Sequence, residues 1–236
     1  MSIKKNNEYH TSFGFKDVSR DEKDALVAEV FNNVAPNYDL MNDLMSLGLH
    51  RLWKSRLIEK IRPTPTLKVL DVGGGTGDLP FKFLEMGGKE IVVADINKKM
   101  LVVGRGRALN RALISEITWI CANAEELPVD DASFDCYVTA FCFRNVGNLD
   151  KALKEAHRVL KPGGKFLCLE FSHVIIPQLR KLYDIYSFNY LPFLGQVVSK
   201  DRDSYQYLVE SIRRFPNQDD FSTQVEDSGL IKASYE

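Results

Sequence analysis

The stretch from Lys68 to Asp78, KVLDVGGGTGD, constrains the fold of this chain more than any other feature. Four mostly apolar residues, Val69 to Val72, lead directly into glycines at positions 73, 74, 75 and 77, and a helical pattern follows. This order of strand, glycine-rich turn and helix is typical of a βα unit that receives a nucleotide-like ligand. Glycines at alternate positions let the backbone pass close to a ligand where a Cβ would collide. We therefore expect a binding loop at the carboxyl end of a buried strand.

The rest of the chain favours an α/β, Rossmann-like fold. From Lys68 onward apolar runs alternate with helical patterns, which predicts a doubly wound, mostly parallel sheet with helices on both faces. A chain of 236 residues is long enough for one such domain and short for two. The predicted strands are 68–72, 90–95, 117–121, 134–140 and 164–171, and the predicted helices between them are 78–86, 98–110 and 149–160.

Helical regions are expected on either side of this core, within a single domain spanning 1–236. The N-terminal arm and helices would occupy 1–66, with an irregular arm up to about residue 18, a helix behind a capping box at Ser19 and Glu22, and a second helix over 44–61. The cofactor-binding core would span 67–172. An aromatic-rich cap of substrate helices would follow over 173–230, and residues 231–236 would start a truncated terminal strand.

Composition and charge narrow the functional classes. The chain is 44% hydrophobic and 27% charged, which is ordinary for a globular protein, and its net charge of −1 gives no electrostatic argument for nucleic-acid binding. No apolar run reaches membrane-spanning length, and the four cysteines lack CxxC spacing. We predict a cytoplasmic protein that has no metal site and binds no nucleic acid.

The glycine loop distinguishes between two classes of cofactor. Asp78 stands where a dinucleotide-binding G-x-G-x-x-G loop needs its third glycine. The pattern that fits is acidic-x-G-x-G-x-G, formed by Asp71, Gly73, Gly75 and Gly77. A carboxylate at the end of the first strand suits a ligand that carries an ammonium group and a sulfonium rather than a pyrophosphate. A nicotinamide-dependent oxidoreductase is thereby disfavoured.

Residues at the next two strand ends complete a predicted cofactor site. Asp95 ends the second strand, where an acidic side chain accepts hydrogen bonds from two ribose hydroxyls. Asn123 follows the third strand and is placed to contact an adenine edge, while Ile96 and Met100 would sandwich the ring. Each residue taken singly has a structural alternative: Asp95 as a solvated strand end, and Met100 as a core residue. Their occurrence in order at successive strand ends favours a binding site.

Several motifs resemble those of a known family. The glycine loop resembles motif I of class I S-adenosylmethionine-dependent methyltransferases, and RVLKPGG at 158–164 resembles their approach to the fifth strand. The similarity is closer still to the ubiquinone/menaquinone biosynthesis C-methyltransferases (UbiE type), and it extends from about residue 10 to the C-terminus. The motifs that carry it are YDLMND at 38–43, MSLGLHRLWK at 45–54, RNV at 144–146, LEFS at 169–172 and SYQYLVESIRRFP at 204–216.

This resemblance implies S-adenosylmethionine-dependent C-methylation of a polyprenylated quinol. The products would be menaquinol from demethylmenaquinol and, on the ubiquinone route, a methylated methoxy-polyprenyl-benzoquinol. The open alternatives are a methyltransferase for another small apolar acceptor, including O-methylation, and a cofactor-binding scaffold within a quinone-synthesis complex.

The resemblance also extends the list of site residues. Thr76, Asp95, Asn123 and Ala124 match positions that contact the cofactor in the family. The site includes Ala140, where a serine is common; the missing hydroxyl removes one hydrogen bond worth about 1 kcal/mol. Two further departures are a glycine at position 73, where alanine is common, and a cysteine at position 142, where glycine is usual.

Methylation of a quinol carbon needs a nucleophilic ring. Loss of the neighbouring hydroxyl proton raises electron density on the carbon, so a base or a cation that stabilises the phenolate is expected. Arg144 is the first catalytic candidate, and Tyr38 and Asp39 would close over the same site. The structural alternatives are an Arg144 that ties strand to helix and an Asp39 that caps the following helix. For His50 and His173 a structural role is favoured.

The aromatic segment 183–193 is where we expect either a prenyl tail or the core of the cap. Because the substrate would be a lipid and the sequence has no membrane-spanning run, we expect peripheral contact with the inner face of a membrane, or handover of the substrate from a partner. A homodimer or a place in a quinone-biosynthesis complex is also expected.

Overall fold

The computed structural model describes residues 10–35, 38–174 and 177–236, and its centre is a five-stranded parallel sheet. The strand order is β5-β4-β3-β6-β7, and every neighbouring pair is parallel. Successive strands run outward from β3 in one direction and from β6 in the other, so the chain switches direction between those two strands. The predicted doubly wound α/β sheet is therefore confirmed. The strands are β3 (Val69–Val72), β4 (Ile91–Asp95), β5 (Ile117–Cys121), β6 (Phe134–Ala140) and β7 (Leu160–Leu169).

Ten helices surround the sheet in the described part of the chain. The predicted cap of the first helix is confirmed, since the Ser19 hydroxyl accepts a hydrogen bond from the Glu22 N–H at 3.3 Å. A 3₁₀ turn spans Phe143–Asn145 and a π-helical turn spans Tyr186–Tyr190. The helices are α1 (Arg20–Val34), α2 (Tyr38–Ser46), α3 (His50–Ile61), α4 (Asp78–Glu85), α5 (Lys98–Asn110), α6 (Leu149–Val159), α7 (Pro177–Ile185), α8 (Leu191–Ser199), α9 (Arg202–Arg214) and α10 (Gln218–Asp227).

Two apolar cores lie on the two faces of the sheet. Val69 of β3 belongs to the core shared with α1 to α5 and α9, whereas Leu70 and Val72 belong to the core shared with α6 and α10. This alternation follows from the two-residue period of a strand. Because both faces are covered, β3 is buried along its whole length, and Asp71 is buried with it.

The helical region before the sheet differs from the prediction in one place. The helix expected over 44–61 is two helices, because Leu47 and Gly48 adopt positive φ values of 51° and 80°. The turn is closed by the Gly48 N–H, which donates to the Asp43 carbonyl at 2.9 Å. A glycine favours this left-handed conformation, which ends α2 and redirects the chain into α3.

The N-terminal arm is also more ordered than predicted. Residues His10–Phe13 (β1) and Lys16–Ser19 (β2) pair as an antiparallel hairpin. Phe13 stacks on Tyr207 of α9 with ring centroids 4.0 Å apart. The partner lies almost at the other end of the chain, so local sequence contained no sign of this contact. Residues 1–9 lie outside the described part.

The C-terminal end does not form the expected strand. Residues 231–236 have no regular secondary structure. The Ala233 N–H donates to the Glu226 carboxylate at 3.1 Å, and Lys60 of α3 forms an ion pair with Glu236 at 2.5 Å. Side-chain contacts, rather than a strand partner, therefore hold this segment on α10 and α3.

The last sheet strand begins earlier than predicted. Leu160 already pairs with Phe134 of β6, and an irregularity in register precedes the pairing of Cys136 with Lys165.

Of the described helices, none combines the length and the apolar character that crossing a bilayer requires.

Candidate functional site

A pocket opens at the carboxyl ends of β3, β4 and β5, at the edge predicted for the cofactor. Tyr38 of α2, predicted as catalytic, forms part of its wall, together with Phe141 and Cys142 from the turn after β6. Helix α1 contributes Val27 and Phe31, which were not among the predicted site residues. The predicted cofactor residues that line the pocket are Gly73, Asp95, Ile96, Met100, Asn123 and Ala124.

The remaining predicted residues do not line this pocket. Gly75 and Gly77 shape the loop through positive φ values of 48° and 87°. Thr76, within the same loop, and Ala140, which precedes the pocket residue Phe141, are both buried. The others outside the pocket wall are Asp71, Arg144 and Asp39.

Asp95 fixes the shape of the glycine loop. Its Oδ2 accepts a hydrogen bond from the Gly75 N–H at 2.9 Å, and its Oδ1 accepts one from the Asn97 N–H at 2.7 Å. Burial raises the pKa of Asp95 to about 6, although these two N–H groups act against that rise. Each oxygen keeps a further lone pair, so Asp95 can hold the loop and still accept ligand hydroxyls.

Asp71 is a buried carboxylate without a hydrogen-bond partner. Neither of its oxygens has one among the described residues, and the side chain is fully buried in β3. Burial raises the pKa of Asp71 to about 8, the charge of Asp95 adds to the rise, and Lys54 opposes it. An unpaired buried carboxylate is costly, so it marks a site where a cationic ligand group would be stabilised. This fits a cofactor that carries an ammonium group.

Asp78 connects the loop to the N-terminal helices. Its Oδ2 lies 2.7 Å from Lys54 Nζ of α3, and its Oδ1 lies 3.0 Å from the Arg107 guanidinium of α5. Burial disfavours the charged form, but Lys54 and Arg107 together outweigh it and lower the pKa of Asp78. Asp39 joins this cluster through Arg107 at 3.6 Å, at the first turn of α2.

Arg144 is held in a buried ion pair. Its Nη1 lies 2.7 Å from Glu170 Oε2, and the two side chains are 1% and 5% exposed. The guanidinium also lies 5.9 Å from the ring centroid of Phe141 and 5.5 Å from that of Phe171. Arg144 therefore ties the 3₁₀ turn to the end of β7. Such a contact is of the kind expected from the structural role that was considered as an alternative to catalysis. Glu170 was not predicted as the partner of Arg144, although this residue lies in the LEFS motif at the strand end.

The two predicted structural histidines have hydrogen-bond partners. His50 Nε2 lies 2.8 Å from Asp43 Oδ1, and burial lowers the pKa of His50. His173 Nε2 lies 3.2 Å from the Phe215 carbonyl oxygen.

The two sequence departures at Gly73 and Cys142 face each other. Gly73 has a φ of +72°, and a Cβ built on it would lie 2.5 Å from the Cys142 Cβ and would overlap its sulfur. The space that an alanine at position 73 would need is filled by the cysteine. The two departures therefore compensate for each other sterically.

Trp119 of β5 packs beneath the loop. A Cβ on Gly77 would lie 2.9 Å from its ring, and a Cβ on Gly104 of α5 would lie 2.6 Å from the same ring atom. A Cβ on Gly104 would also collide with the Gly75 carbonyl oxygen, at a distance of 2.8 Å. The absence of side chains at both positions allows α5 to approach the loop.

Comparison with known proteins identifies the class of the chain. Residues 17–236 match the ubiE/COQ5 methyltransferase family. The chain is 48% identical to the mitochondrial 2-methoxy-6-polyprenyl-1,4-benzoquinol methylase of Homo sapiens, over 96% of this chain and 80% of that protein. It is 52% identical to the ubiquinone/menaquinone biosynthesis C-methyltransferase UbiE of Brucella canis, over 95% of this chain and 85% of that protein.

Solved structures share the fold at lower identity. A SAM-dependent methyltransferase of Thermotoga maritima, described as a possible histamine N-methyltransferase, aligns with a TM-score of 0.59 at 18% identity, covering 86% of this chain and 80% of that one. A candidate S-adenosyl-L-methionine-dependent methyltransferase of Methanococcus maripaludis aligns with a TM-score of 0.57 at 18% identity, covering 86% and 85%. The predicted fold and the predicted class of enzyme are confirmed. This chain belongs to the ubiE/COQ5 methyltransferase family.

Proposed function

We propose that this methyltransferase transfers a methyl group from S-adenosylmethionine to a ring carbon of a polyprenylated quinol in menaquinone or ubiquinone biosynthesis. The observation that carries the proposal is the match to quinol methyltransferases over nearly the whole chain, including the segments outside the cofactor core. Residues 67–172 would hold the cofactor, and residues 173–230 would cover the acceptor.

The residues at the strand ends fit this cofactor. Asp71 would pair with the ammonium group, Asp95 would accept the ribose hydroxyls, and Asn123 with Ala124 would contact the adenine. Ile96 and Met100 would enclose the ring, while Gly73, Gly75, Thr76 and Gly77 form the loop. Ala140, buried at the end of β6, would also belong to the site. When bound, S-adenosylmethionine supplies a methyl group already activated by its sulfonium.

The acceptor would lie beneath α2 and the cap. Tyr38 lines the cofactor pocket, and burial raises its pKa well above the usual value, so it stays protonated and can donate a hydrogen bond to a ring oxygen. Arg144 would stabilise the phenolate, as a permanent cation beside the same pocket wall. Asp39, which contacts Arg107, would contribute by holding α2 in place rather than by contacting the ring.

An apolar surface supports peripheral contact with a membrane. Leu52 of α3 and Leu182 of α7 are 64% and 65% exposed, and the Tyr186 hydroxyl donates to the Leu44 carbonyl at 2.8 Å, which joins the cap to α2. Such exposed side chains suit a prenyl tail or the inner face of a bilayer. Self-association, or a place in a quinone-biosynthesis complex, would bury the same surface. Further exposed apolar residues of α2, the turn after it and the cap are Leu40, Leu47, Leu49, Leu179, Ile185, Tyr190, Phe193 and Val197.

The decisive test is methylation of a reduced acceptor. Purified protein is incubated with methyl-labelled S-adenosylmethionine and a short-chain demethylmenaquinol or methoxy-polyprenyl-benzoquinol under reducing conditions, and the product is analysed for a ring C–CH₃ group. We expect label on a ring carbon of at least one quinol. Label on oxygen would favour the O-methyltransferase alternative, and no label on either acceptor would exclude the proposed function.

A further inference from the structure

Glu170 is a buried carboxylate beside the pocket for which the reaction described so far has no use. It directly follows β7, and its Oε2 accepts hydrogen bonds from Arg144 Nη1 at 2.7 Å and from the Phe171 N–H at 3.2 Å. Its Oε1 is buried and has no hydrogen-bond partner among the described residues. One oxygen therefore fixes the side chain, while the other is free to accept a proton.

The strand pairing places Glu170 next to the pocket wall. The Phe141 N–H donates to the Leu169 carbonyl at 2.8 Å, so the residues after β6 run beside the residues after β7. Phe141 and Cys142 line the cofactor pocket, and the rings of Phe141 and Phe171 stack 4.7 Å apart beside the Arg144 guanidinium. The Arg144–Glu170 pair thus lies behind this wall, on the side of the cap.

Other buried polar groups in this region also lack partners. Among the described residues, they include Arg144 Nε and the Ser172 hydroxyl shortly after β7. Leaving a polar group buried and unpaired destabilises the fold. A ligand with polar ring substituents would satisfy such groups.

We propose that Glu170 is the general base of the reaction and accepts the proton of the quinol hydroxyl at Oε1, while Arg144 stabilises the resulting oxyanion. This inference rests on the proposed function. The O–H bond breaks, its proton bonds to Oε1, and the electron pair stays on the ring oxygen. Once the ring carbon is methylated, it loses its hydrogen as a proton to solvent, and Glu170 returns its proton to the ring oxygen. One proton is released per methyl group, which balances the positive charge lost from the sulfonium.

The electrostatic surroundings suit this role. Burial raises the pKa of Glu170, and the charge of Arg144 opposes that rise without cancelling it. The other titratable groups that face Glu170 are Cys142, Cys168 and Tyr207, whose pKa values are all raised by burial, so they stay neutral. A carboxylate whose pKa moves toward neutral pH is a better proton acceptor than an ordinary one.

The test compares Glu170→Gln with Glu155→Gln. Glu155 accepts a hydrogen bond from Arg158 Nε at 2.8 Å, so it is a second arginine-paired glutamate, but it lies on α6 away from the pocket. We expect Glu170→Gln to lower kcat by about 10²–10⁴-fold. Its quinol KM and its calorimetric affinity for S-adenosylmethionine should stay within about threefold of wild type. In wild type, kcat should rise with pH as Glu170 ionises, and this rise should disappear in Glu170→Gln. Glu155→Gln should behave as wild type.

Three outcomes would overturn the role of Glu170 while leaving the proposed function intact, provided that wild type methylates the quinol. They are a Glu170→Gln variant with near-normal kcat, one with an unchanged pH profile, and one that loses kcat and cofactor affinity together, as a structural residue would. A wild-type enzyme that methylates no quinol would instead exclude the proposed function itself.

A second measurement decides the question if Glu170→Gln does not fold. Wild-type protein with S-adenosylhomocysteine and demethylmenaquinol is placed in deuterated water, and exchange of the quinol ring hydrogen is followed by NMR. Deprotonation of the hydroxyl activates the ring carbon toward exchange, so we expect the protein to accelerate it. No acceleration over buffer would overturn the assignment of a base.

Discussion

Asp71 carries the clearest consequence of a single side chain. Burial raises its pKa to about 8, so at neutral pH the free protein holds it mostly protonated. A ligand ammonium favours the ionised form, so binding should release a proton. The folded-state pKa lies above the ordinary 3.8, so Asp71 ionises in the unfolded chain before it ionises in the folded protein. The free energy of unfolding therefore falls as pH rises from 3.8 to about 8.

We predict that S-adenosylmethionine binds more tightly as pH rises from about 6.5 to 8, approaching tenfold per pH unit, and that the gain levels off above the pKa of Asp71. Isothermal titration calorimetry in two buffers of different ionisation enthalpy measures both affinity and proton release. Asp71→Asn should remove the pH dependence, whereas Asp135→Asn, in a half-buried ion pair with Lys161, should keep it. Equal wild-type affinity at pH 6.5 and 8 would contradict the prediction.

The contact between Gly73 and Cys142 gives a second prediction at this scale. Gly73→Ala combines left-handed backbone strain of about 1–2 kcal/mol with overpacking against Cys142 of about 1–3 kcal/mol. Urea unfolding should show a destabilisation of about 2–5 kcal/mol. In the double variant Gly73→Ala, Cys142→Gly the overpacking part should be recovered.

Gly163 separates the two contributions to that cost. It has a similar φ of +80° but open space where a Cβ would be, so Gly163→Ala should show only the strain of about 1–2 kcal/mol. If the effects of Gly73→Ala and Cys142→Gly simply added in the double variant, the steric explanation would be wrong.

At the scale of elements, the ion pair between Lys54 of α3 and Asp78 of α4 connects the N-terminal helices to the loop. Both side chains are largely buried, so removal of Lys54 leaves the buried Asp78 carboxylate paired with Arg107 alone of these two cations. We expect Lys54→Ala to lower the free energy of unfolding by about 3 kcal/mol, measured by urea denaturation. Lys60→Ala, on the same helix but in an exposed pair with Glu236, should have no measurable effect.

The pH dependence of this pair has a definite sign. The pKa of Asp78 is lowered in the folded state, so its contribution is fully present above the ordinary 3.8 and is lost as pH falls through the lowered value. Lys54→Ala should therefore reduce the loss of stability of the protein in acid. An acid transition identical to that of wild type would show that the pair contributes nothing.

The elements differ in how far sequence could predict them. The strands and the glycine loop were predictable because their signals are local: apolar runs, and glycines at positions of positive φ. The hairpin of Phe13 was not, since its stacking partner Tyr207 is distant in sequence. The break at Leu47 was missed because one non-glycine residue takes a left-handed conformation there.

The site shows the same division. Its cofactor edge follows from strand ends, and six of the residues predicted there line the pocket: Gly73, Asp95, Ile96, Met100, Asn123 and Ala124. The Arg144–Glu170 pair joins a 3₁₀ turn to the end of another strand, and the sequence indicated each residue without indicating that they touch.

At the scale of the whole molecule, cofactor binding should stabilise the fold, because the pocket joins α1, α2 and three strands. At a concentration 100 times Kd, S-adenosylmethionine adds about 2.7 kcal/mol. For a chain of this size that corresponds to a rise in Tm of roughly 5–11 °C, measurable by differential scanning fluorimetry.

Nucleotides serve as the control for that rise. ATP and NADH carry an adenosine but bear phosphates, which the acidic loop disfavours. We expect neither to raise Tm at the same concentration. An equal rise with NADH would mean that the loop accepts a dinucleotide after all.

The packing of the two tryptophans provides the protein with two optical reporters. Trp119 lies beneath the glycine loop against Gly77, and Trp53 packs edge-on against Phe171 with centroids 6.0 Å apart, beside the Arg144–Glu170 pair. Replacing either one by Phe leaves a single emitter. The fluorescence of Trp119 would then follow occupation of the cofactor edge, and that of Trp53 would follow arrival of the acceptor, so the order in which the two substrates bind can be watched in real time without any attached dye.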